Sequence, residues 1–132
     1  MGDLRRRMLT LDEKVELERI YINYCEGDIE YLKKEDIDEY EFFAKFINFR
    51  MDVSGGREYF AGSNVGCQSV EGFLDEICLF DNMMCDGGGA YRGSFCWECY
   101  DGLDEILNNS TLTEEIKNEI REGFKEIYGM NK

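Results

Sequence analysis

Apolar residues recur at helical spacing from residue 11 onward. Just ahead of them, Thr10 and Glu13 are spaced as a capping box, in which the threonine side chain accepts from the Glu13 amide and Glu13 reaches back to the cap. Gly27 provides a stop signal. The pattern predicts a helix over about residues 11–25, with the apolar series Leu11, Val15, Ile20, Tyr21 and Tyr24.

Four further helices are predicted from patterns of the same kind. Asp36 followed by Glu39 resembles a helix start, and apolar spacing favours a helix to about residue 46. Ser69 caps a third helix, which must end before the glycines at 87–89. A short helix over about 100–107 follows, and a capping box at 111–114 opens a last helix to about residue 128.

After residue 46 the pattern changes to strand spacing. Apolar residues at 47, 49, 51 and 53 alternate with polar ones, and Ser54-Gly55-Gly56 is typical of a turn. We therefore expect a β-hairpin at roughly 47–61. The expected fold is α+β: a predominantly helical single domain over 1–132, frayed at 1–8, with a small β-hairpin and a cysteine-rich region at 63–102.

Composition indicates a folded, acidic chain. It has 132 residues, 43% of them hydrophobic, and no apolar run long enough to span a bilayer. The first 14 residues do not form a secretory signal, so a cytoplasmic protein is expected. The formal net charge is −14, which repels nucleic acid and anionic membranes and attracts basic protein surfaces.

Two absent residue types bear on chemistry. The chain has no histidine, which removes the commonest general base and every His-based metal site. It has no proline, whereas thioredoxin-like enzymes place a cis-proline opposite their dithiol. Both absences favour a binding protein over an enzyme.

Five of the six cysteines lie between residues 67 and 99. The Cys96-Trp97-Glu98-Cys99 motif can bring two sulfurs together, as a tetrahedral Zn²⁺ site requires. Cys78 and Cys85 would complete the set if the third helix ended after Phe80, because an unbroken helix would hold them about 10 Å apart. The predicted structural Zn²⁺ ligands are Cys78, Cys85, Cys96 and Cys99, with Cys67 as the alternative ligand. Zinc would then staple the glycine-rich loop.

Other roles for these thiols stay open. Reduced cysteines are among the most buried residue types, so a core role is the main alternative to zinc. A redox dithiol is disfavoured by the missing proline and by the acidic neighbours Glu98 and Asp101. Cys25, on an aromatic-rich helix, is expected in the core.

Acidic residues are dense between 26 and 41. Such carboxylates can imitate the row of phosphates in a nucleic-acid backbone and occupy a basic groove of a partner. Alternatively, they are the solvated face of two helices. The residues predicted to bind a partner are Glu35, Asp36, Asp38, Glu39 and Glu41. The nearby aromatics are expected in the core rather than as a base-stacking platform; they are Phe42, Phe43, Phe46 and Phe49.

A compact acidic domain with the cysteine cluster of Cys78, Cys85 and Cys96-Trp97-Glu98-Cys99 resembles metal-containing, phage-encoded anti-CRISPR inhibitors of the type II-A RNA-guided DNA nuclease. The resemblance covers general character and the cysteine cluster. It implies a protein in the host cytoplasm that binds the nuclease directly and interferes with DNA loading. The positively charged channel of that nuclease suits a chain of charge −14.

Two other functions fit the same sequence. One is a zinc-stabilised adaptor, or an inhibitor of another nucleic-acid enzyme, without a CRISPR connection. The other is a thiol redox protein with Cys96 or Cys99 as nucleophile, which the acidic neighbours disfavour.

Overall fold

The computed structural model of the chain describes residues 5–30, 32–52, 67–86 and 97–127, and all of its regular structure there is helical. No strand occurs in these ranges. The helices are α1 (Leu11–Ile29), the single turn α2 (Leu32–Glu35), α3 (Ile37–Asp52), α4 (Val70–Asp86), α5 (Trp97–Asn108) and α6 (Glu114–Ile127).

The predicted α+β fold is therefore wrong: the described part of the chain is an all-helical bundle. α3 continues to Asp52, through the residues expected to form the first strand of the hairpin. Ile47 is 3% exposed and Phe49 is 61% exposed, although a strand would place both on the same face. Two residues apart on a helix they point to different sides, which is what the exposures show. Residues 53–61 of the predicted hairpin lie outside the described residues.

α1 lies at the centre of the bundle, in contact with α3, α4 and α5. Ile20 and Ile22 point to nearly opposite sides of this helix, yet both are buried. A helix buried on several sides needs apolar residues on more than one stripe. α6 contacts α4 and α5 and closes the other side of the bundle.

An aromatic cluster joins three of the helices. The Phe80 ring in α4 is fully buried and meets Tyr21 of α1 edge-on, with ring centroids 6.5 Å apart. It meets Phe43 of α3 edge-on at 5.6 Å and stacks on Phe46 at 6.5 Å. Such edge-to-face and stacked pairs add to the stabilisation from area burial.

The starts of α1 and α4 follow the predicted caps, whereas α5 begins at Trp97 and not at about residue 100. The Thr10 hydroxyl accepts from the Glu13 amide at 3.2 Å, and the Glu13 carboxylate accepts from the Thr10 amide at 2.9 Å, which confirms the capping box. Ser69 accepts from Gly72 N, which confirms the cap of α4. At α6 the cap is Thr113, whose hydroxyl accepts from Ile116 N, two residues after the position that the sequence pattern favoured.

Ion pairs connect α6 to its neighbours. Arg121 pairs with Asp104 of α5, a partly buried contact. Arg5, within the stretch expected to be frayed, pairs with Glu119 at 3.0 Å and with Glu126 at 2.9 Å. The hydrogen bond from Arg5 lowers the pKa of Glu126. These contacts hold Arg5 against α6.

Two helical glycines give a matched test of the packing between α4 and α6. A Cβ atom added to Gly123 would collide with the buried Leu74 side chain, whereas one added to Gly102 meets nothing within 4 Å. Gly102→Ala should stabilise the protein by roughly 0.5–1 kcal/mol through helix propensity. Gly123→Ala should destabilise it, because overpacking typically costs about 1–3 kcal/mol. Urea denaturation of both variants measures the difference; equal stabilisation by both would contradict the close helix contact.

Candidate functional site

α4 decides the geometry of the cysteine cluster. It runs without interruption from Val70 to Asp86, so the predicted helix end after Phe80 is wrong. Cys78 and Cys85 are seven positions apart on this helix, a rise of about 10 Å. Two ligands of one Zn²⁺ ion at about 2.3 Å each need a much closer approach. The turn that was to bring Cys85 back towards Cys78 does not form.

The remaining cysteines do not assemble a site among the described residues. Cys25 and Cys67 are fully buried, as core thiols are, and Cys78 is partly buried. Cys99 lies in the first turn of α5, and Cys96 lies outside the described residues. Within the described ranges no three His, Cys, Asp or Glu side chains are grouped as metal ligands. The zinc-stapled loop of the predicted fold is not supported; Zn²⁺ binding by the chain stays a prediction from cysteine spacing.

The predicted acidic partner site is divided by the fold. Asp36 caps α3, since its carboxylate accepts from Glu39 N at 3.2 Å. Asp38 and Glu41 are exposed and lie three residues apart, on adjacent positions of one helical face. Glu39 is half-buried, and Glu35 belongs to α2. Of the five predicted residues, Asp38 and Glu41 thus share an exposed surface.

That surface also carries two phenylalanines. We define the outer face of α3 as the exposed residues Asp38, Glu41, Phe42, Lys45 and Phe49. Phe42 is 60% exposed and Phe49 is 61% exposed, and the seven-residue interval places them on one side of the helix. The expectation that both lie in the core is wrong. A sequence signal existed: consecutive residues on a helix point about 100° apart, so Phe42 and Phe43 do not share a face.

A groove lies on another side of α3, where α3 crosses the end of α1. Its volume is about 280 Å³. Glu26 and Glu30 supply carboxylates, Tyr40 an aromatic ring, and the apolar part of the lining includes Ile29 and Ile47. The groove could not be predicted from the sequence, because it depends on how α1 and α3 pack against each other.

Further carboxylates crowd the first half of α4. Partial desolvation raises the pKa of Asp75, and the negative charges of Glu71 and Glu76 raise it further. Glu71 also lies near a cation, with Arg6 Nε 3.8 Å from one of its carboxylate oxygens. The acidic character of the chain is therefore spread over more than one face of the bundle.

The fold and surface define an acidic helical bundle with an exposed aromatic and acidic helix face. No protein-family model, no curated protein and no solved structure matches the chain. Among the described helices, none is long and apolar enough to cross a membrane.

Proposed function

We propose that the protein inhibits a CRISPR RNA-guided DNA nuclease by binding it directly and interfering with DNA loading. The observation that carries the proposal is the outer face of α3, where two exposed phenylalanines lie beside exposed carboxylates on a chain of net charge −14. Two aromatic anchors beside carboxylates, with Lys45 as the one cation of this face, on a strongly acidic chain suit a basic surface that contains apolar pockets. The channel that holds the nucleic acid in such a nuclease is positively charged.

The mode of binding follows from helix geometry. Phe42, Phe46 and Phe49 have the i, i+4, i+7 spacing of the anchors by which helices enter apolar grooves. Phe46 is half-buried and stacks on Phe80, so it supports the outer two from inside the bundle. The exposed pair would enter the partner, and Asp38 and Glu41 would meet cationic side chains at its rim.

A cleavage assay with purified nuclease and guide RNA tests the proposal. Protein added before the target DNA should suppress cleavage, whereas protein added after the DNA is bound should suppress it far less, because the proposed step is DNA loading. Direct binding to the guide-loaded nuclease, measured by fluorescence anisotropy, should weaken about tenfold or more between about 100 mM and about 500 mM NaCl. Unchanged cleavage with excess protein present from the start would refute the proposal.

The runner-up is an adaptor or an inhibitor of another nucleic-acid enzyme. The same exposed phenylalanines and carboxylates favour it, since they are suited to basic proteins as a class. A pull-down that recovers a different basic enzyme, together with unchanged nuclease activity, would support this second function.

A further inference from the structure

The groove between the end of α1 and α3 combines an apolar wall with carboxylates. Its apolar wall includes Ile29 and Ile47, each 3% exposed, and Ala44. Glu26 and Glu30 stand one helical turn apart beside this wall, about 6 Å between their Cβ atoms. An extended alkyl chain that ends in a positive charge matches this order of apolar and acidic surfaces.

The end of α1 adds negative potential. The carbonyl end of a helix carries partial negative charge, and the last turn of α1 contains no basic residue to offset it. Glu26 is exposed and forms no ion pair with the described residues, whereas Glu30 is paired with Lys33. A cation placed between the two carboxylates would therefore give Glu26 an ion-pair partner.

Lys33 shows how a cation is held at this groove. Its Nζ atom lies 3.0 Å from a Glu30 carboxylate oxygen and 5.3 Å from the centre of the Tyr40 ring. An ammonium group is thus already held between a carboxylate and an aromatic face at the edge of the groove. About half of the Lys33 side chain is exposed, so water screens the pair and an incoming cation can replace it.

We propose that this groove binds one arginine side chain of a basic protein segment. The methylene groups lie against Ala44 and Ile47, and the guanidinium lies between Glu26 and Glu30, against the Tyr40 ring. Arginine fits better than lysine because its planar group both pairs with carboxylates and stacks on aromatic faces. The volume of about 280 Å³ is below the roughly 300 Å³ at which pockets for drug-sized ligands begin, which suits a single side chain.

This inference rests on the proposed function only for its partner class, a basic protein, and it is tested without the nuclease. The probe is the peptide acetyl-Gly-Arg-Gly-amide, titrated into ¹⁵N-labelled protein and followed by amide chemical shifts. Shifts should concentrate at residues 26–30 and 40–48. The same peptide with citrulline, which has the shape of arginine without its charge, should bind at least about threefold more weakly.

Variants test whether peptide binding depends on the groove or only on the negative charge of the whole chain. Glu26→Gln should weaken peptide binding at least about threefold, and Lys33→Ala should strengthen it, because the internal competitor is gone. Glu115→Gln is the matched control: it removes another exposed carboxylate, from α6, and should leave binding unchanged. Equal effects of Glu26→Gln and Glu115→Gln, equal binding of citrulline, or shifts confined to other helices would each overturn the inference.

The proposed nuclease inhibition and the proposed arginine site can be refuted independently of each other. Peptide binding in the groove without any nuclease inhibition would refute the proposed function and leave the arginine site standing. Nuclease inhibition by a protein that shows no arginine-dependent shifts would refute the groove alone.

Discussion

Replacing both exposed phenylalanines, Phe42→Ala together with Phe49→Ala, should weaken binding to the guide-loaded nuclease by about 100-fold or more. Aromatic anchors that become fully buried in an interface each contribute about 2 kcal/mol or more, and about 1.4 kcal/mol is a tenfold change. Both side chains are mostly exposed in the isolated protein, so the free energy of unfolding should change by less than about 1 kcal/mol. Anisotropy titration measures the first quantity and urea denaturation the second.

Leu79→Ala is the matched control for this double variant. Leu79 is 63% exposed, as the phenylalanines are, but it belongs to α4. Its replacement should leave both binding and stability close to those of the parent. If Leu79→Ala weakens binding as much as the double variant does, the partner does not bind through the outer face of α3.

Phe80→Ala should destabilise the protein by about 3–5 kcal/mol, the usual cost of emptying a buried phenylalanine site. The ring is fully buried and contacts three aromatic side chains from two other helices, so its neighbours can collapse into the space only partly. That loss is a large part of the roughly 5–15 kcal/mol by which domains of this size are stable. Guanidinium denaturation followed by fluorescence and by near-UV circular dichroism measures it.

Phe80→Leu and Leu79→Ala are the controls for the Phe80→Ala prediction. Leucine keeps most of the buried volume and should cost markedly less than alanine. Leu79→Ala, at the adjacent exposed position, should change stability by about 0.5 kcal/mol or less. A loss below about 1 kcal/mol for Phe80→Ala would show that the aromatic cluster does not hold α1, α3 and α4 together.

The starts of α1, α3 and α4 could be predicted from sequence because a cap is a local interaction, whereas α5 begins at Trp97, before its predicted start at about residue 100. Thr10 with Glu13, Asp36 with Glu39, and Ser69 all bond within three residues along the chain. Such contacts depend on side-chain type and spacing, which the sequence gives directly. Helix ends were less predictable: α3 continues past residue 46 to Asp52, and α4 passes Phe80 to reach Asp86.

The hairpin prediction failed because alternating apolar residues do not distinguish a strand from a helix with apolar residues on two sides. Ile47 packs into the core, whereas Phe49 faces solvent, and only the position of α3 against α1 separates these roles.

The zinc prediction failed to hold Cys78 and Cys85 together because it needed a bend inside α4. Instead, α4 is one continuous helix, and its residues Ile77 and Phe80 pack into the core. The continuous helix keeps positions 78 and 85 apart.

The sequence by itself determined a mainly helical, strongly acidic chain, the starts of α1, α3 and α4, and Cys25 as a core residue, since these depend on composition, local spacing and capping. The tertiary structure alone decided which side of each helix is covered. It left Phe42 and Phe49 exposed beside Asp38 and Glu41. It buried Phe80 among rings from α1 and α3. It also placed Glu26 and Glu30 beside Tyr40 in one groove. The physical reason is that exposure depends on neighbours distant in sequence, whereas caps and helical spacing depend on residues a few positions away.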